Sequence, residues 1–179
     1  MTSSTEVVRE VAPARRQVAS ADAIEAAYRA QAPRLRRLAA AVAGTDVAGD
    51  IVQDAFAAAL RRRESWRGEG PLEAWLWRLV LNAAHDAERK RLRRRRLVAR
   101  AARLLDARAA TEVTTDPTLL ATLRRLWERQ RDCVVLRYYG DQSYAEIARV
   151  MGIEVGTVGA LLSKAHAALR AEIEREELR

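Results

Sequence analysis

The chain has 179 residues, 49% hydrophobic but only 5% aromatic, with 8 glycines and 4 prolines, which leaves room for one or two small helical cores. Its single cysteine, Cys133, excludes an internal disulfide and points to a reducing compartment. The net charge is +8, and residues 89–108 alone carry ten basic groups against one acidic group; a near-neutral body with one concentrated cationic segment suits a polyanion docked at a defined place, the plainer alternative being a solvated basic linker.

Residues 1–20 are polar, unpatterned and interrupted by Pro13, so a disordered tail is expected there, not a secretory signal. No apolar run approaches the ~20 residues of a membrane span, and a cytoplasmic protein without membrane contact is expected. From Ala21 a helical period sets in, with Tyr28, Ala32, Leu35, Leu38 and Val42 on one face and Gly44 closing the helix. A second helix is predicted over about 47–62, with Ile51, Ala55, Ala58 and Leu60 partly inward and Asp50, Gln53 and Asp54 adjacent on another side.

The stretch Glu64–Pro71 holds two glycines and a proline and reads as a loop, with Pro71 suited to the first position of the next helix. That helix begins near Leu72. Leu72, Leu76, Leu79 and Ala83 form its core stripe, and Trp75, Arg78, Asn82, His85 and Arg89 form a second stripe of polar and aromatic groups. Trp77 reads as a core residue, and Trp75 suits either role. After Arg96 the period weakens, and residues 109–118, ending in Asp116-Pro117, read as a linker between two modules.

Beyond the linker, Leu119, Leu120, Leu123, Leu126 and Trp127 share a helix face, and Val134, Val135, Leu136 and Tyr138 belong to a second helix ended by Gly140. Ser143-Tyr144-Ala145-Glu146 is a capping box opening a short helix. Gly152 allows a tight turn, and helical spacing resumes through Val155, Val158, Leu161, Leu162, Ala165, Ala168 and Leu169. A short capped helix, a glycine turn and a longer helix make a helix-turn-helix pattern, for which an ordinary helical hairpin is the plainer alternative.

Two histidines far apart and no cysteine cluster argue against a structural metal, and no cofactor is expected. No nucleophile motif or glycine-rich phosphate loop is present, so the chain is expected to bind and not to catalyse.

With these modules in place, the chain resembles the bacterial extracytoplasmic-function (ECF) sigma factors of the sigma-70 class. Resemblance to region 2 rests on residues 48–56, Trp66-Arg67-Gly68, residues 74–82, Asp86 and Arg89; resemblance to region 4 rests on residues 136–139, 143–148, 151–153, 156–158 and 163–165. The resemblance implies an all-α fold of two small helical domains, a region 2 bundle over 21–96 and a region 4 helix-turn-helix domain over 119–179, joined by a flexible linker over 97–118. It implies binding to core RNA polymerase through its β′ and β subunits, recognition of promoter DNA near −10 and −35, and an anti-sigma factor as a common partner of the family.

By the same resemblance, Asp50, Gln53 and Asp54 meet the β′ coiled coil, where acidic and amide groups suit a basic helix. Trp66, Arg67, Gly68, Trp75, Arg78 and Asn82 face the −10 bases, where rings and guanidinium groups stack and an amide reads a base edge. Arg89, Lys90, Arg93 and Arg94 face phosphates. Thr157, Val158, Ser163 and Lys164 face the −35 element. Here the sequence departs from its relatives: Gly159, Ala160 and Leu161 stand where a polar, basic run is usual, Glu154 lies near the helix start, and Glu172, Glu174, Glu176 and Glu177 follow. Recognition of −35 is therefore expected to be weak, shape-based or dependent on polymerase. Two other readings stay open on the residues: a stand-alone helix-turn-helix regulator, and a helical adaptor that binds protein only.

Overall fold

A computed structural model of the full chain describes residues 18–68, 70–104, 122–123 and 125–178. Six α-helices are described: α1 (Ala21–Ala43), α2 (Ala48–Arg61), α3 (Leu72–Leu104), α4 (Glu128–Tyr138), α5 (Tyr144–Met151) and α6 (Val155–Glu177). None of the described helices is long and apolar enough to cross a membrane.

Ser20 caps α1 by accepting from the Ala23 N–H at 3.0 Å, and Gly44, at φ +113, ends it. Pro33 lies inside α1, a position the periodicity alone did not flag as costly. Helices α1, α2 and α3 pack on one another as a three-helix bundle. Leu35, Leu38, Val42, Ile51, Val52, Trp77 and Val80 fill its centre, and Tyr28 stacks on Phe56 with ring centroids 4.4 Å apart. Each large side chain buried there contributes about 1.5–3 kcal/mol.

The second module is α4, α5 and α6. Ser143 and Glu146 form the reciprocal capping box at the start of α5, and Gly152, left-handed at φ +65, turns the chain into α6. Val158, Leu162 and Ala165 of α6 face inward against Ile147, Val150 and the buried run Cys133–Leu136. Leu123 and Leu126 are buried as their spacing implies, whereas Leu119 and Leu120 lie outside the described residues. Trp127 departs from that face: it is the N-cap of α4, with extended backbone, and stands 82% exposed.

The two modules are docked, with one continuous core running through both. At the closest approach Gly140 lies on the Trp77 ring; a Cβ there would sit 2.9 Å from the indole. Around that contact Arg34 pairs with Asp141 at 3.1 Å, Arg37 donates to the Tyr139 carbonyl at 3.2 Å, and Arg131 pairs with Glu88 at 3.0 Å. Helix α3 continues to Leu104, so residues 97–104, expected as the start of the linker, are helical; residues 105–121 lie outside the described residues, as do 1–17 of the expected tail.

Candidate nucleic-acid interface

Three surfaces collect most of the residues singled out in the sequence. Asp50, Gln53 and Asp54 are all exposed on one side of α2, whose opposite side buries Ile51, Val52 and Ala55. The two acidic groups and the amide therefore stand free of the bundle core and can meet a basic partner.

The second surface is a cleft of about 450 Å³ where the 63–71 loop meets the first turns of α3. Ser65, Trp66, Arg67, Gly70, Pro71, Ala74, Trp75 and Arg78 line it, together with Arg149 from α5. Positive φ at Gly68 (+73) and Gly70 (+104) lets the loop fold back over the start of α3. Trp66 is half-buried and lines the cleft, while its indole N–H is enclosed without a hydrogen-bond partner among the described residues. Arg78 and Asn82 are exposed on the same stripe of α3, one turn apart.

The third surface continues the second. Arg89, Lys90, Arg93 and Arg94 are exposed, and every residue from Leu92 to Val98 is exposed, so α3 leaves the bundle as a bare cationic rod. From Trp75 to Arg94 the helix rises about 28 Å, which carries one face from an aromatic cleft to a row of guanidinium groups. Arg89 donates to Asp86 at 2.5 Å; that bond holds the Asp86 carboxyl below its ordinary value.

On α6, Thr157, Ala160, Ser163 and Lys164 are exposed, but Val158 is wholly buried. The assignment of Val158 to DNA is corrected: it holds α6 against α5 and cannot reach a groove. Lys164 is the sole cation among the exposed residues from Val155 to Lys164. Glu172, expected to repel phosphate, is 9% exposed and is bonded to Arg125 and to Arg175, the latter at 3.1 Å, so its charge is compensated.

His85 belongs to the α3 stripe in sequence but not in function. It is 4% exposed and shares a 2.7 Å hydrogen bond with Asp132 of α4, also buried. Sequence reasoning missed this pair; the signal was Asp132 itself, a carboxylate leading the apolar run Cys133–Leu136 and in need of a partner. Glu128 brings a third ligand-type atom, the ring nitrogen of His85 and the carboxylate oxygens of Glu128 and Asp132 lying within 4.8 Å of one another. Burial pushes the Cys133 thiol up to about 11, which keeps it protonated and unreactive at neutral pH.

Comparison with known proteins matches both modules. The profile for sigma-70 region 2 covers residues 27–96, and that for sigma-70 region 4 covers residues 118–169. The chain is 32% identical over 133 residues to the ECF RNA polymerase sigma factor BldN of Streptomyces coelicolor, an alignment spanning 69% of this chain and 50% of BldN. It is 29% identical over 139 residues to the ECF RNA polymerase sigma-E factor of Escherichia coli, spanning 70% of this chain and 73% of the relative. Among solved structures it is similar to CnrH, determined in complex with the cytosolic domain of CnrY, with a TM-score of 0.62, 25% identity, and coverage of 87% of this chain and 90% of CnrH.

Proposed function

The chain belongs to the sigma-70 family of RNA polymerase sigma factors, in its ECF group, and from that premise we propose that it binds core polymerase and directs it to promoters, acting in the cytoplasm by binding and not by chemistry of its own. The observation that carries this reading is the continuity of the aromatic cleft with the cationic rod of α3. An unpaired base stacks on Trp66, Trp75 or a guanidinium group at roughly 1–3 kcal/mol per contact. Asn82 offers donor and acceptor to a base edge beside it, and Arg89, Lys90, Arg93 and Arg94 neutralise the phosphates that follow.

Asp50, Gln53 and Asp54 take the β′ subunit, and the β subunit completes the core contact. Thr157, Ser163 and Lys164 face the −35 duplex with little charge behind them, so polymerase supplies most of the affinity there through effective concentration. The working modules are residues 21–96 and 119–179. Residues 97–118 join them, the first part of that join, as far as Leu104, continuing α3 as helix. An anti-sigma factor fits the same scheme as a regulator.

Reconstitution tests the proposal: purified chain plus core polymerase should yield transcripts from a discrete set of start sites, each preceded by shared −10 and −35 elements. Co-elution with core polymerase but no promoter-dependent transcript would leave a polymerase-binding adaptor; DNA binding without co-elution would leave a stand-alone regulator.

A further inference from the structure

His85 and Asp132 form a buried pair in which Nε2 and Oδ1 are 2.7 Å apart. Glu128 stands in the first turn of α4, one helical turn before Asp132, so the two carboxylates share a face of that helix. The face meets α3 at His85, where the ring nitrogen and one oxygen from each acid lie within 4.8 Å of one another. Two buried groups and one exposed group thus converge where α3 and α4 touch. His85 alone satisfies Asp132. Glu128 adds a second negative charge four residues away, which costs the helix stability unless a cation compensates both.

The neighbouring arginines are already matched. Arg131 pairs with Glu88 at 3.0 Å, and Arg89 with Asp86 at 2.5 Å, although the charge of Glu128 also acts on Arg89. With a neutral imidazole, Glu128 and Asp132 set two negative charges around one ring nitrogen. Mg²⁺ and Ca²⁺ are held by oxygen alone, whereas imidazole with carboxylates suits Zn²⁺, Co²⁺ and Ni²⁺. Two ligands four residues apart on one helix have the spacing that presents both to one ion. The separation of the two histidines argues against a site of several imidazoles, but one imidazole and two carboxylates make three ligands and leave a position for water.

Ligand atoms on a tetrahedral ion with bonds of about 2.0–2.1 Å stand about 3.4 Å apart. The His85–Asp132 pair would open by about 0.7 Å, and the Glu128 oxygen would close by at most about 1.4 Å, within the range of an exposed side chain. We propose that His85, Asp132 and Glu128 form a binding site for one divalent cation of the zinc class. The cation takes the place of the hydrogen that joins Nε2 to Oδ1, with the imidazole bound as the neutral tautomer protonated on Nδ1. The site is separate from every residue assigned to DNA or polymerase.

The test uses the full chain without a purification tag, freed of metal by a chelator. Calorimetry with Zn²⁺ and absorption spectroscopy with Co²⁺ read binding, and circular dichroism with thermal melting reads folding. The wild type should take up one Zn²⁺ in the micromolar range, melt higher with it, and ignore millimolar Mg²⁺. Bound Co²⁺ should show d–d bands without a thiolate charge-transfer band, because Cys133 is buried with its Sγ 3.4 Å from Met151 Sδ. Glu128→Gln, an exposed change that leaves the fold intact, and Asp132→Asn, which keeps a hydrogen-bonding partner for His85, should each weaken binding by about tenfold or more. His166→Ala, which removes the other histidine, 2.9 Å from Tyr138, should bind as the wild type does. If Asp132→Asn fails to fold, Glu128→Gln decides alone. No saturable uptake of Zn²⁺ by the wild type, undiminished affinity in Glu128→Gln, loss of binding in His166→Ala, or a thiolate band with Co²⁺ overturns the site.

Discussion

Replacing Arg93 by alanine should flatten the salt dependence of duplex binding, and replacing Arg95 should leave it unchanged. Both side chains are exposed on a stretch of α3 that packs against nothing among the described residues, so neither change disturbs a core, and alanine is at least as good a helix former. At about 100° per residue, Arg89, Lys90, Arg93 and Arg94 fall within an arc of about 140°, while Arg95 points about 170° from the middle of that arc. Arg89 is shared with Asp86, which makes Arg93 the cleaner position. If the four cations each neutralise one duplex phosphate, the log–log slope is about −3.6, and affinity falls about 150-fold between 50 and 200 mM salt. Removing Arg93 brings the slope to about −2.7 and the loss to about 40-fold. Anisotropy titrations of the full chain on a 30-base-pair duplex at four salt concentrations measure both. Equal flattening by Arg93→Ala and Arg95→Ala would refute the idea that one face of α3 lies along the backbone.

Asn82→Ala should lower open-complex formation and narrow the difference between matched and mismatched −10 sequences by about 1–3 kcal/mol, read from transcription on paired templates. Asp50→Lys with Asp54→Lys should weaken co-elution with core polymerase while helicity is preserved, since both side chains are exposed. Ser143→Ala removes the cap of α5 and should cost about 1 kcal/mol in thermal or denaturant unfolding. The Ser143 hydroxyl, followed by its backbone N–H, holds the Glu146 carboxyl below its ordinary value. Glu146 therefore adds stability at pH above the ordinary carboxylate range and loses it as pH falls through its lowered value. The stability difference between wild type and Ser143→Ala should shrink over that acid window.

The elements that announce themselves in sequence are those whose cause is local. The capping box at Ser143, the glycine turn at Gly152, the loop around Gly68 and Gly70, and the inward spacing of Leu35, Leu38 and Val42 each depend on residues a few positions apart. Asp50, Gln53 and Asp54 emerge together because helical spacing alone places them on one face. Val158 was legible too: it falls in register with Leu162 and Ala165 on the core side of α6, and family correspondence outweighed that period. The helical stretch 97–104 escaped because exposed positions such as Leu97 and Val98 set no apolar rhythm, and good helix formers alone can continue a helix. The docking of the modules left no local trace. His85 and Asp132 are 47 residues apart, and the acceptors that hold Arg78 are backbone carbonyls, which any residue at those positions would supply.

The contact between Gly140 and Trp77 gives the protein an optical gauge of its own state. Trp77 is 1% exposed, and one edge of its ring is covered by a residue with no side chain, from the other module. When the modules part, water reaches that indole while α1 to α3 stay folded, and its emission moves to the red without loss of helical ellipticity. Trp127, 82% exposed, already emits from water, whereas Trp66 and Trp75 line the cleft that Arg149 of the second module completes, so their emission changes with the same event. Following emission and helical ellipticity together through a urea titration would thus show whether the seam between the modules opens before the helices melt, with no dye attached to either one.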